Sequence, residues 1–108
     1  MAMLLTRRYS WSLFVGHLVI EKLLKAYFVQ VKEDYPPFIH NLLKLARDSD
    51  LSLDDDAKLK LTTITAFNLN TRYDDYKMGF QKKCTPEYTK EWVDKIGEIR
   101  QWIKKLIK

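Results

Sequence analysis

Three ionisable side chains stand one helical turn apart along one face of a largely apolar stretch near the start of the chain. His17, Glu21 and Lys25 follow at i, i+4 and i+8, so a helix would stack them on one face. Removing an isolated charge from water costs several kcal/mol, so we expect these groups to pair with one another or with groups from another helix. Two interpretations stay open: a structural ladder in which Lys25 pairs with Glu21, and the inner wall of a polar site.

The helix that carries these side chains is predicted over residues 9–32, and the pattern leaves open an earlier start. Apolar residues surround its axis almost completely, which is typical of a buried, central helix. Gly16 costs about 1 kcal/mol relative to alanine inside a helix, so it predicts the close approach of another backbone at that level. Pro36 and Pro37 remove backbone donors, so the helix should end just before them.

Two further helices are predicted after the proline turn. A short one reaches about Arg47, with His40 in its first turn, where histidine is either a local capping or packing residue or a ligand or base. The next one runs from about residue 53 to residue 71, with Ser52 as its N-cap. The acidic stretch 48–56 lacks the glycine and the glutamate of a calcium loop, so we expect no metal site.

Polar residues collect where the third helix ends. Asn68 continues one face of that helix, and Arg72 and Tyr73 follow just past it. An arginine here can satisfy terminal carbonyl groups, pair with Asp74 or Asp75, or bind a phosphate with two parallel hydrogen bonds. The structural and the binding interpretation are equally open.

The last helix has the clearest start signal. Thr85 is the predicted N-cap and Pro86 the first helical residue, and an apolar stripe then runs to the end of the chain. This stripe packs against the first helix or supports a dimer. The fold class is therefore all-α, an up-and-down four-helix bundle with two long and two shorter helices, and we expect a single domain over residues 1–108.

The charge and the cysteine content restrict the class of protein. The net charge of +5 lies entirely in the last third: residues 1–75 hold ten basic and ten acidic residues, and residues 76–108 hold nine and four. A basic face there would suit phosphates or an acidic partner, and a solvated lysine-rich helix is the plainer interpretation. The lone Cys84, the absence of an apolar run of membrane length and the lack of a recognisable signal peptide favour the cytoplasm.

Three stretches together resemble the HEPN domains, small all-helical proteins of bacteria and archaea. They are LFVGHLVIEKLLKA at 13–26, PPFIHNLLKLA at 36–46 and FNLNTRYDD at 67–75. The resemblance implies a helical bundle that commonly forms homodimers and is often encoded beside a minimal nucleotidyltransferase. In that setting HEPN domains are nucleotide- or substrate-binding partners, or the ribonuclease toxin of a toxin–antitoxin pair.

The ribonuclease members of the family carry an arginine followed four to six residues later by a histidine. Arg72 is present here, but no histidine follows it at that distance, and Tyr76 and Lys77 are poor proton shuttles near neutral pH. We therefore expect a non-catalytic module, without a cofactor, that binds a nucleotide or an RNA phosphate or serves a nucleotidyltransferase. Its expected binding residues are His17, Glu21, Lys25, Asn68, Arg72 and Tyr73.

Two alternatives stay open. One is a metal-independent ribonuclease toxin in which Arg72 works with a histidine from elsewhere in the fold, His17 or His40. The other is a dimerisation scaffold whose polar ladder is purely structural.

Overall fold

The structure, a computed structural model, describes the backbone of residues 2–73 and 83–107 and the side chains of residues 8–68 and 83–107. These residues form four helices and no strand, which confirms the predicted all-α helical bundle. The helices are α1 (Ala2–Lys32), α2 (Leu42–Asp48), α3 (Asp55–Tyr73) and α4 (Pro86–Leu106). With 19 residues, α3 is closer in length to α4 than to the seven-residue α2.

The first helix begins earlier than residue 9 and ends as predicted. It is continuous from Ala2 to Lys32, and Glu33 follows in a left-handed conformation with φ of 53°. The segment 33–41 then leads into α2, where the Asn41 side chain accepts a hydrogen bond from the Lys44 amide at 3.1 Å. Because Asn41 is the cap, His40 lies before α2, and the prediction that placed it in the first turn is wrong.

The cap of α3 also differs from the prediction. The Asp54 carboxylate accepts a hydrogen bond from the Ala57 amide at 2.7 Å, so Asp54 caps the helix and the expectation for Ser52 is wrong. Serine and aspartate cap helices about equally well, so residue type alone does not distinguish Ser52 from Asp54. At α4 the prediction is confirmed, since the Thr85 hydroxyl accepts a hydrogen bond from the Tyr88 amide at 3.1 Å and Pro86 is the first residue of the helix.

Three contacts fix the directions of the long helices. A Cβ atom built on Gly16 would lie 2.6 Å from Ile96 Cδ1, and the Gln30 side chain donates to the Leu106 carbonyl at 3.2 Å. The later residue of α1 contacts the later residue of α4, so α1 and α4 run parallel. Lys32 at the end of α1 pairs with Asp50 just before α3, so α3 runs antiparallel to both.

The core lies where α1 contacts each of the other three helices. Its aromatic centre is Phe67, whose ring packs edge-on against Trp92 with centroids 5.4 Å apart. The expectation of an almost fully buried α1 is only partly met, because Trp11 and Val15 are about half exposed at 51% and 52%. The helices described here leave this part of α1 open.

We predict opposite effects for alanine at two helical glycines. Nothing lies within 4 Å of a Cβ atom on Gly97, so Gly97→Ala should stabilise the protein by about 0.5–1 kcal/mol through helix propensity. Gly16→Ala gains the same propensity but forces Ile96 to move, and overpacking costs about 1–3 kcal/mol. We expect urea unfolding to show a stabilised Gly97→Ala protein and a Gly16→Ala protein no more stable than the wild type.

An Ile96→Val background supplies the control, because it removes the Cδ1 atom that an added Cβ would meet. There the cost of Gly16→Ala should fall by about 1 kcal/mol or more. Equal gains at both glycines in the wild-type background would contradict the close approach of α1 and α4.

Candidate functional site

A buried carboxylate organises the polar residues of α1. Glu21 has a side chain only 6% exposed, and each of its oxygen atoms has a partner. His40 Nδ1 lies 2.7 Å from Glu21 Oε1, and Lys25 Nζ lies 3.2 Å from Oε2. The predicted Glu21–Lys25 pair is therefore present, and the segment 33–41 supplies a third member. We call His17, Glu21, Lys25 and His40 the Glu21 cluster.

His17 holds the segment 33–41 against α1. Its ring is fully buried, and Nε2 lies 2.9 Å from the backbone carbonyl oxygen of His40. A carbonyl oxygen only accepts, so Nε2 carries the proton and donates it, and the unprotonated Nδ1 has no partner among the described residues. Burial lowers the pKa of His17 despite the nearby Glu21 charge, so the ring is neutral near pH 7. His17 therefore positions His40.

His40 is the exposed member of the cluster. Its side chain is 57% exposed, and its Nδ1–H donates to Glu21. This bond fixes which ring nitrogen carries the proton in the neutral form and leaves Nε2 free to accept or transfer one. The two histidine rings lie 6.5 Å apart between centroids, so the fold brings both imidazoles of the chain to one place.

Glu21 is ionised in this environment. Burial of the carboxylate works to raise its pKa, but the hydrogen bonds from His40 and Lys25, together with the charge of Lys25, outweigh it. The pKa of Glu21 therefore lies below its ordinary value of 4.5. The carboxylate anchors one cationic side chain and one imidazole beside each other at the protein surface.

A hydroxyl group of α3 binds the start of α2, next to His40. Thr65 Oγ1 accepts a hydrogen bond from the Leu42 amide at 3.0 Å and donates to the Leu61 carbonyl at 2.8 Å. This fixes the start of α2, and with it His40, to the second half of α3. Asn68 follows within one turn and is buried, with 6% of its surface exposed.

Arg72 and Tyr73 belong to the last turn of α3, but their side chains lie outside the described residues, as do residues 74–82. At a rise of about 1.5 Å per residue, Arg72 stands about 10 Å along the helix from Thr65. The predictions for both side chains therefore stay predictions.

The segment 33–41 carries two aromatic rings that the sequence analysis did not select. Phe38 is fully exposed and Tyr35 is 91% exposed. Both stand beside the pair Pro36-Pro37, and Phe38 is two residues before His40. An aromatic residue in a proline-rich connection was the available signal, because such a segment runs over the surface.

A second surface follows the junction of α1 and α4. It has an apolar floor and basic edges, and we call it the basic groove; its residues are Arg8, Trp11, Val15, Leu18, Val19, Lys22, Leu23, Val93, Arg100 and Lys104. No carboxylate is among the described side chains that line it, and its four cations form no ion pair with another described side chain. Arg100 and Lys104 come from the basic last third of the chain.

Comparison with known proteins gives one match. The family model for the HEPN domain matches residues 2–106, which is nearly the whole chain. No curated protein and no solved structure matches it. Among the described residues, no helix is long and apolar enough to cross a membrane.

Proposed function

The chain belongs to the HEPN domain family, and we propose that it is a non-catalytic module that binds the phosphate of a nucleotide or an RNA. The observation that supports this proposal is the convergence of Lys25 and His40 on Glu21. The buried carboxylate holds the two side chains in place, while its own charge is already matched by Lys25 and by the His40 hydrogen bond.

The chemistry of the cluster suits an anion. Lys25 supplies a charged ammonium group whose side chain is 20% exposed, and His40 supplies an accessible ring nitrogen that donates when the ring is protonated. Arg72, about two turns further along α3 from Thr65, would add a planar group that binds two phosphate oxygens at once. Asn68 and Tyr73 complete the proposed set at the end of α3.

The test is binding of a fluorescein-labelled oligoribonucleotide, followed by anisotropy. We expect Lys25→Gln and Arg72→Ala each to weaken binding about tenfold and to reduce the slope of affinity against salt by about one phosphate contact. Lys22→Gln is the matched control, because it makes the same change on α1 within the basic groove and should leave binding unchanged. Equal binding by all four proteins would contradict the proposal.

A specific observation also favours a second candidate, a ribonuclease. The His40 ring is oriented by its hydrogen bond to the Glu21 carboxylate and is exposed to solvent, as a general acid–base group requires. Unlike the histidine of the ribonuclease members, it does not follow Arg72 in the chain. In this alternative His40 Nε2 would take the proton of the attacking ribose hydroxyl, and Arg72 would stabilise the charge on the phosphate.

Cleavage of labelled total RNA in the presence of a chelator separates the two candidates. A binding module leaves the RNA intact, and its expression does not arrest growth. Cleavage that disappears in both His40→Gln and Arg72→Ala, with the helical circular dichroism retained, would instead establish the ribonuclease and overturn the non-catalytic proposal.

We also propose that the chain serves a nucleotidyltransferase, and the basic groove supports this second part of the proposal. An acidic amphipathic helix, with apolar residues toward Val15 and carboxylates toward Arg100 and Lys104, matches both its floor and its edges. We assign this helix to the nucleotidyltransferase partner. Two copies of the chain that met through the groove would bring cations together, so we propose that a homodimer of the chain uses another face.

Co-purification with a co-expressed minimal nucleotidyltransferase tests that assignment. We expect the Arg100→Glu, Lys104→Glu double variant to lose the complex, and Lys90→Glu, an exposed change on the same helix, to retain it. Sedimentation of the chain alone should give a dimer that the double variant does not alter. A dimer abolished by the double variant would show that the groove joins two copies.

A further inference from the structure

We infer that Phe38 and Tyr35 stack on unpaired nucleobases, so that the ligand of the Glu21 cluster is a single-stranded RNA. This inference rests on the proposed phosphate-binding function and adds the class of nucleic acid to it. The two rings would hold neighbouring bases of one strand while Lys25 and His40 meet its backbone.

The first support is the contrast between these rings and the other aromatic residues. Phe67 and Trp92 are buried at 1% and 8% exposure, whereas Phe38 has its whole surface in water. Single exposed apolar residues are common and need no explanation. Two almost fully exposed rings within four residues, on the segment that carries His40, form an aromatic surface in the same region as the Lys25 ammonium group.

The second support is the anchoring of the segment that carries the rings. At one end the Glu33 amide donates a hydrogen bond to the Val29 carbonyl oxygen of α1 at 2.9 Å. At the other end His40 is held twice, by His17 through its carbonyl oxygen and by Glu21 through its ring. Pro36 and Pro37 fix two further φ angles. A segment fixed in this way loses little entropy when a ligand stacks on it.

The third support is the combination of ring and charge. Proteins that bind single strands place aromatic side chains, on which bases stack, beside cations that follow the phosphates. Phe38 stands two residues before His40, and three residues of extended chain place Tyr35 no more than about 10 Å from Phe38 between Cα atoms. Paired bases in a duplex do not present their faces to such rings, so the arrangement selects single strands.

The experiment compares a labelled 12-nucleotide oligo(U) with the same strand paired to oligo(A). We expect Phe38→Ala to weaken binding of the single strand about tenfold, and Tyr35→Ala to weaken it less, with no change in the salt slope because no phosphate contact is lost. Phe38→Trp should retain binding. Leu59→Ala, which removes an exposed apolar side chain from α3, is the matched control and should bind as the wild type does.

Other results would overturn the inference. If Phe38→Ala binds the single strand as tightly as the wild type while Lys25→Gln does not, stacking is wrong and the proposed phosphate site stands. If the wild type binds neither form of the RNA, the inference fails and the RNA part of the proposed function fails with it. If Phe38→Ala affects only sedimentation or complex formation with the nucleotidyltransferase, the rings form a protein interface.

Discussion

Replacing Glu21 with alanine should destabilise the protein by about 2–4 kcal/mol. The change removes a buried acceptor of two charge-assisted hydrogen bonds, each worth about 1.5–3 kcal/mol, and leaves Lys25 and His40 without their partner. Breaking a fully buried ion pair costs about 3–5 kcal/mol. We expect the smaller loss of about 2–4 kcal/mol here, because Lys25 and His40 can still reach water. Urea unfolding monitored by circular dichroism measures the difference.

The pH dependence of that difference identifies the carboxylate as its cause. The pKa of Glu21 is lowered in the folded state, so its contribution is complete above the unfolded-state value of 4.5 and is lost as the pH falls through the lower folded-state value. The part of the stability gap between the wild type and Glu21→Ala that comes from titration of this carboxylate should therefore be complete down to about pH 5 and should be lost in stronger acid.

Glu91→Ala is the matched control. Glu91 is an exposed residue of α4 that pairs with Lys95 at 3.7 Å, and exposed pairs of this kind contribute at most about 1 kcal/mol. A Glu21→Ala protein as stable as Glu91→Ala would mean that the Glu21 cluster does not hold the segment 33–41. RNA binding by Glu21→Ala should also fall, because His40 loses the bond that orients it.

The sequence predicted the part of the site that lies on one helix. His17, Glu21 and Lys25 follow a single helical period, so their common face and the Glu21–Lys25 pair follow from spacing alone. The pairing of His40 with Glu21 depends on how the segment 33–41 returns along α1, and no local pattern encodes that path. The same limit explains why His40 was placed inside α2.

Periodicity also misjudged how much of α1 is covered. It records which faces of a helix are apolar, but it does not record whether a neighbour lies on each of them. Trp11 and Val15 have the side chains of a core and are about half exposed beside Val93. The sequence showed an unusually apolar helix; only the arrangement of α1 and α4 shows that part of this surface is a groove.

Replacing His17 with glutamine should flatten the pH dependence of stability below neutral pH. Burial lowers the pKa of His17 in the folded state, whereas in the unfolded chain histidine titrates near 6.5. Below pH 6.5 the unfolded chain therefore binds a proton at His17 that the folded protein does not bind. The free energy of unfolding falls as the pH decreases toward the folded-state pKa of His17. Thermal unfolding from pH 7.5 to pH 5 should show this fall in the wild type and a smaller one in His17→Gln.

Glutamine is the informative replacement because its amide can still donate to the His40 carbonyl but does not titrate. His17→Ala removes the donor as well, and an unpaired, partly buried carbonyl costs about 1–3 kcal/mol at any pH, with a further cost for the cavity. The groups that face the ring are Glu21, Lys25 and His40, and all three are retained in both variants. An identical pH dependence in the wild type and His17→Gln would mean that the ring binds a proton equally well in the folded and the unfolded chain, which would contradict the lowered pKa of His17.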